Sequence, residues 1–498
     1  MGNFSAVDWT VLAFYFIGSV VLGSYFGKRH QNTEDFLLAG RKMAWLPVAI
    51  SIMATNTSAV SYMGVAAYVY QHDLMLYTNV LTMVLITPIV VWLFVNFYYN
   101  LKVFTAYEYL EKRFNPLVRS IASVLFLFLR LCWLATMIHA TAIALSEITG
   151  ISQVYCVLAL GLGTSFYTVL GGMEGVIWTD VAQAIVFVVG ILSIAAFILA
   201  DFGWDVGAIH AVAASAGRTR MADWRLDPMI DVTVWSTMLG FFVINLATYG
   251  ADQVVLQRYF TAKDVRASRR SVIANACIDA PTTTLLFLVA IGIFSYFQKH
   301  ADLLPAGFNP DRVLPYFVIT SLPSGVAGLV IASIMAATMS SISSGVNSIA
   351  TASLVDFYQR YYRKEAPQSH FLNVSRWMSL GWGLAATIMG LYVGKLGTIL
   401  EISAKTNSFF TGILLGIFLL GMLTARATWQ GTSIGALVSL LVVIYVGTFT
   451  RTSFFLYAPI GLVLTMILGY LFSLVFPPVS PDRLRGLVKG HGPDGIRA

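Results

Sequence analysis

Charge is scarce in this chain: Asp, Glu, Lys and Arg together make 11% of its 498 residues, while 57% are hydrophobic. An ordinary soluble domain carries about a quarter charged residues, so this composition excludes one and indicates an all-α polytopic membrane protein. Cysteine is rarer still, and the 3 that occur, Cys132, Cys156 and Cys277, are scattered through apolar runs. Neither a disulfide framework nor a metal-binding spacing is present. The 7 histidines are equally scattered, and no catalytic cluster of carboxylates with histidine stands near one surface, so an enzyme is not expected and no catalytic residue is assigned. No Lys or Arg precedes the first apolar run, whereas Lys28 and Arg29 follow it. That order is the reverse of a secretory signal peptide and predicts a retained first helix.

Long apolar runs are abundant. A span of about 20 residues slid along the chain finds thirteen candidate helices. Their centres fall near Phe16, Ser58, Val90, Leu131, Leu162, Val189, Ile244, Leu288, Ser341, Ala385, Leu414, Val438 and Met466. Most of the 31 basic residues then fall on one side, including Lys28, Arg29, Arg41, Lys112, Arg119, Arg258, Arg270, Arg360 and Arg483. The positive-inside rule places that side in the cytoplasm, with the N-terminus outside and the C-terminus inside. The net charge of +7 is thereby explained by topology in a lipid bilayer, and nucleic-acid binding receives no support. The expected organisation is one transmembrane domain over residues 1–476 and a loose cytoplasmic tail over 477–498. Tyr107 to Arg113 reads as a short amphipathic helix at the inner surface.

Two stretches break the apolar pattern where a membrane protein can least tolerate polar groups. In the ninth span, Ala336 to Gly345 places Ser340, Ser343 and Ser344 on one flank with Ser341 beside them, since residues three and four apart are neighbours on a helix. The apolar stretch from Val326 to Val355 is about 45 Å long at 1.5 Å per residue, so the serines lie near the bilayer centre. Small residues also let helices approach closely. A hard monovalent cation such as sodium needs several oxygens, however, and these hydroxyls with freed carbonyls would supply them. In the second span, Ala54 to Ser61 interrupts the helix with side chains that compete for backbone hydrogen bonds, and a break is predicted. The seventh span is disrupted in the same way by Asn245, Thr248, Gly250, Asp252 and Gln253. Broken helices five spans apart are what an inverted five-plus-five repeat leaves in a sequence.

Intramembrane charges need individual accounts. Asp180 opens the sixth span and reads either as a cap or as an ion counter-charge. Glu401 and Lys405, four apart, read as a structural pair, and His139 as a packed, hydrogen-bonded histidine. Arg130, deep in the fourth span, offers a fork that suits a carboxylate.

These stretches resemble the sodium/solute symporter family, which includes sodium-coupled sugar, proline, sialic acid and monocarboxylate transporters. The residues that carry the resemblance are Glu34 to Arg41, Ala106 to Phe114, Gly171 to Asp180 with Gln183, and Ser340 to Asn347. Nearest in motifs is the bacterial sialic acid branch, through Asp252 to Tyr259 and Leu304 to Asn309. The resemblance implies thirteen helices with a LeuT-type inverted-repeat core at about 45–423. It implies a sodium site made by the carbonyls of Ala54, Thr57 and Ala337 with the hydroxyls of Ser340 and Ser341. A further sodium site would use Asp180, Ser340, Ser343 and Ser344.

The pattern departs where substrate binds in the sialic acid branch. Trp133 stands at the position of that branch's carboxylate-gripping arginine, with Arg130 one turn earlier, and Val80 stands for a glutamine, with Asn79 adjacent. Asn56, Ser58, Ser61, Asn79, Arg130 and Trp133 are the expected substrate contacts. Sodium-driven import of a small organic solute, a sialic acid or other organic acid or sugar, is the expected activity. A neutral sugar or monocarboxylate is the alternative cargo, and a membrane sensor the alternative class.

Overall fold

The computed structural model describes residues 4–26, 32–101, 103–305, 307–396 and 399–489. Lys28, Arg29, Lys102, Ala306 and Arg497, and the side chains of Glu401 and Lys405, lie outside what it describes. The described residues form helices throughout, with one isolated bridge between Met43 and Ala262. In chain order the helices that matter here are α1 (Ala6–Phe26), α2 (Trp45–Asn56), α3 (Ala59–Gln71), α4 (Thr78–Val90), α5 (Tyr107–Arg113), α6 (Pro116–Thr149) and α7 (Gln153–Asp201). They continue with α8 (Val234–Gly250), α9 (Gln253–Thr261), α10 (Val265–Lys299), α11 (Val326–Ala352), α12 (Gln368–Tyr392), α13 (Ile399–Leu423), α14 (Trp429–Phe449) and α15 (Tyr457–Val475).

Among the described residues, 8 helices are long and apolar enough to cross a membrane, and up to 10 if each of two bent pairs counts as one span. All thirteen expected centres lie in helical segments or at the α2–α3 break, two of them in α7. That helix has 49 residues, about 74 Å at 1.5 Å per residue and too long for one crossing. Gly172 divides it, with φ 53 and ψ −161, a conformation that only glycine adopts without strain. Nearby, a Cβ on Gly171 would collide with the carbonyl of Gly23, so its absence lets α1 lie directly on α7.

The two predicted breaks are present. α2 and α3 meet at 52° and α8 and α9 at 44°. Thr57 and Ser58 are extended between the first pair (ψ 113 and 173), which frees carbonyls from the helical ladder. Between the second pair, Asp252 caps α9 by accepting from the Val254 N–H at 2.9 Å. The serine-bearing α11 is the most deeply buried long helix. It packs along α7 and also touches α2 and α9, so both breaks converge on it.

Two segments pack more closely than expected. Tyr107–Arg113 is helical as expected, and its face formed by Tyr107, Tyr109, Leu110 and Arg113 is buried against the bundle while Lys112 stays exposed. The Arg113 guanidinium satisfies the carbonyls of Gly421, Thr424 and Ala427 at one end of α13. The stretch after Pro477, expected to be a loose tail from its Pro, Gly and charge content, docks as far as it is described. The Tyr109 hydroxyl donates to the Leu487 carbonyl at 2.9 Å, the Lys489 N–H donates to the Met422 carbonyl at 2.9 Å, and Leu484 and Val488 are buried.

Candidate sodium and solute sites

Where α11 crosses the α2–α3 break, Ser340 and Ser341 meet the carbonyls of Ala54 and Ala337, with that of Thr55, absent from the expected set, beside them. Ser340 Oγ lies 2.6 Å from the Ala54 carbonyl and 3.0 Å from that of Ala337. Ser341 Oγ lies 2.9 Å from the Thr55 carbonyl and 3.1 Å from that of Ala337. A small void between the helices is bounded by Ala54, Thr57, Ala337 and Ser340 on one side and by Gln183, Ala184 and Phe187 of α7 on the other. Each serine hydroxyl spends its proton on a carbonyl that a cation would take in its place. Hydroxyl and carbonyl oxygens without a thiol or imidazole suit a hard, weakly polarising ion, so the donor set fits sodium.

Asp180 lies beside this cluster and does not cap a helix. It is fully buried well inside α7, beyond the Gly172 kink. Its Oδ2 accepts from Ser51 Oγ at 2.6 Å, and Ser344 Oγ stands 3.5 Å away. Ser343 Oγ donates to the Ser340 carbonyl at 3.0 Å, and no hydrogen bond joins it to Asp180 among the described residues. Sequence reasoning misses Arg258, which the positive-inside count assigns to a cytoplasmic loop. This side chain is fully buried and donates Nη2 to Asp180 Oδ2 at 2.9 Å and Nε to Ser51 Oγ at 2.7 Å, with Nη2 also on Ser344 Oγ. The polar block Gln253, Gln257 and Arg258 in α9 was the available signal. These side chains at helical spacing face the core, and Gln257 Nε2 is satisfied by the Leu37 carbonyl, Asn347 and Thr351. The other oxygen of Asp180, Oδ1, is buried without a hydrogen-bond partner among the described residues.

A cavity of about 280 Å³ lies on the far side of the α2–α3 break. Asn56, Ser61, Asn79, Arg130 and Trp133 line it, as expected from the sequence, whereas Ser58 does not. Asn245 donates to Asn79 Oδ1 and to Thr82 Oγ1, both at 3.0 Å, and Tyr249 and Thr248 complete the polar wall. Arg130 lies 4.6 Å over the Trp133 ring, but its fork is committed: Nε donates to Asp252 Oδ2 at 2.8 Å and Nη2 donates to the same oxygen. Asp279 also lines the cavity, a carboxylate absent from the expected contacts. His139 is packed and bonded as expected, with Nδ1 2.9 Å from the Gly390 carbonyl. A wider vestibule shares Leu76 and Phe455 with the cavity and extends past His72 and Asp73 toward Arg451.

The family model described as the sodium:solute symporter family matches residues 36–442. This chain belongs to that family. It is 31% identical over 479 residues to the sodium/sialic acid symporter NanT of Aliivibrio fischeri, covering 95% of this chain and 94% of the relative. It is also 31% identical over 484 residues to the sodium/sialic acid symporter SiaT of Proteus mirabilis, covering 96% and 97%. A solved structure of a Na⁺-coupled sialic acid symporter, in a substrate-bound outward-open state, superposes with a TM-score of 0.91 at 30% identity, covering 96% of this chain and 100% of that one. Mhp1, a nucleobase-cation-symport-1 family transporter, superposes with a TM-score of 0.53 at 16% identity and supports the LeuT-type fold alone. The chain is a multi-pass membrane protein and a sodium-coupled symporter, not an enzyme, and sodium is its coupling ion.

Proposed function

We propose that inward sodium flow drives import of a small polar organic solute bound at the Asn56, Ser61, Asn79 and Trp133 cavity. The sodium would be held by the carbonyls of Ala54, Thr57 and Ala337 with Ser340 and Ser341. The observation that carries this reading is the α2–α3 break itself, because one unwound turn contributes to both sites. Ala54, Thr55 and Thr57 face the serines of α11, and Asn56, Thr57 and Ser61 face the cavity. Sodium that fixes this turn therefore preorganises the solute site, which makes the coupling reciprocal.

In this reading residues 1–476 form one transporter domain with its repeat core at about 45–423. It spans a bacterial inner membrane with its N-terminus outside and its C-terminus in the cytoplasm, as the distribution of basic residues supports. The vestibule beyond Leu76 and Phe455 then opens outward. Inward access is closed by Arg119, which joins Asp356 at 2.6 Å and Glu111 at 2.8 Å, while Arg360 holds Glu111 at 2.7 Å. The names of the relatives make sialic acid the first solute to test. Engagement of Arg130 by Asp252 means that a carboxylate ligand would have to compete with a buried ion pair, which brings uncharged sugars level with acids.

The deciding experiment is uptake of labelled sialic acid and of neutral sugars by the purified chain in proteoliposomes, with sodium, potassium or choline outside. Uptake that follows the sodium gradient supports the reading, and uptake indifferent to the cation defeats it.

A further inference from the structure

The solute cavity holds one charge that no described residue answers. Asp279, on α10, is 7% exposed and lines the cavity. Its Oδ1 accepts from Thr283 Oγ1 at 3.2 Å and Thr57 Oγ1 at 3.4 Å, and Oδ2 receives no hydrogen bond from the described residues. No ion pair reaches Asp279 among them. The cation that lines the same cavity, Arg130, is already neutralised by Asp252.

A carboxylate at membrane depth is costly, and proteins retain one where it meets a partner of opposite charge. Among the described residues none supplies that partner, and the cavity that Asp279 lines leaves the place to a bound solute. Trp133, Phe241, Tyr249 and Phe287 stand around the same space, and aromatic faces attract a desolvated ammonium. The Asn79, Asn245 and Thr248 side chains supply neutral donors and acceptors for the remainder of a polar molecule.

We propose that Asp279 is a substrate-binding residue that selects a solute carrying a protonated amine, its Oδ2 accepting the ammonium hydrogen bond. The inference rests on the symport reading, since it assigns the recognition chemistry of the same cavity. It also gives that chemistry a route to the ion, because the hydroxyl of Thr57 supports Asp279 while the turn that contains Thr57 faces the sodium oxygens.

The test uses the purified full chain in proteoliposomes under a sodium gradient with three probes on one ring: glucosamine, glucose and glucuronate. Glucosamine should be favoured over both. Asp279→Asn should raise its KM by about tenfold or more, the size a lost charge-assisted hydrogen bond carries. Asp279→Glu should recover part of the preference, and half-saturation by sodium should stay nearly fixed in both variants. Preference for glucose or glucuronate, failure of glucosamine to be taken up, or an Asp279→Asn effect confined to the sodium dependence would each overturn the assignment. Glucosamine uptake that depends on Asp279 but persists without sodium would instead overturn the symport reading and leave the amine assignment standing.

Discussion

Arg258 donates to Asp180 Oδ2 at 2.9 Å while Asp180 Oδ1, equally buried, receives no hydrogen bond from the described residues. One oxygen of the carboxylate is thus neutralised by a fixed internal cation, and the other is free of hydrogen bonds from the described residues, as the proposal of a second sodium there requires. With Ser51, Thr55 and Ser344 around it, Asp180 can hold a second sodium only by sharing its charge with Arg258. Asp180→Asn should lower the steepness of the sodium dependence. It should also lower the melting temperature in detergent, because removing one partner of a buried pair leaves the other uncompensated at a cost of about 3–5 kcal/mol. The double variant Asp180→Asn with Arg258→Gln should regain much of the melting temperature without regaining the steepness. An unchanged Hill slope in a well-folded single variant would return Asp180 to a structural role.

Ser340→Ala and Ser341→Ala each remove one oxygen from the proposed sodium site and keep a small side chain at the helix contact. Each should raise the sodium concentration for half-maximal uptake about fivefold, corresponding to a net hydrogen-bond or ligand contribution near 1 kcal/mol. Ser343→Ala should move it far less, since that hydroxyl donates within its own helix, whereas Ser340 and Ser341 also reach carbonyls at the α2–α3 break. Equal effects at all three positions would argue that packing, and not ligation, sets the phenotype.

The reach of sequence reasoning is visible in these residues. The serine cluster and both helix breaks were legible because polar side chains in the middle of an apolar run are costly unless they open the helix or bind something. The pairing partners were not. Arg258 counts with the cytoplasmic basic residues because it follows a break and lies in a polar stretch, and the helical spacing of Gln253, Gln257 and Arg258 was the one local sign that α9 stays in the bundle. Asp279 stands near the edge of its predicted span, and the lone Asp in Cys277-Ile278-Asp279-Ala280-Pro281 was the signal available there. Arg130 reads as free to grip an acid because its partner Asp252 lies 122 positions away.

That pairing yields its own expectation. Asp252 holds the Arg130 fork through Oδ2 and caps α9 through Oδ1, so one side chain fixes both the cavity wall and the second break. Arg130→Ala should destabilise the protein by about 3–5 kcal/mol, read as a drop in melting temperature, because Asp252 is 3% exposed and would lose the cation it is paired with. Arg130→Lys should be milder, since it keeps the charge and loses the planar fork. If Arg130 instead served mainly as a solute clamp, Arg130→Ala would abolish uptake of an acid at an unchanged melting temperature.

The last expectation concerns closure of the side that the proposed orientation makes cytoplasmic. Asp356 is fully buried and gathers Arg119 Nε at 2.8 Å, Ser123 Oγ at 2.6 Å and Thr105 Oγ1 at 2.7 Å, tying the turn before α5, helix α6 and the segment that follows α11 into one knot. Alternating access needs this knot to open when the vestibule closes, so its strength biases the resting state. Asp356→Asn keeps the shape and removes the charge, leaving Glu111 as the carboxylate paired with Arg119. The variant should spend more time open to the cytoplasm. A cysteine placed at Val65 in the cavity, in a chain lacking Cys132, Cys156 and Cys277, should then react faster with a membrane-impermeant maleimide in inside-out vesicles and more slowly in right-side-out ones. Sodium should reverse part of the shift by fixing the α2–α3 turn in the outward-facing state. Equal labelling of variant and parent from both sides, at matched expression, would show that the knot holds the fold together without setting the direction of access.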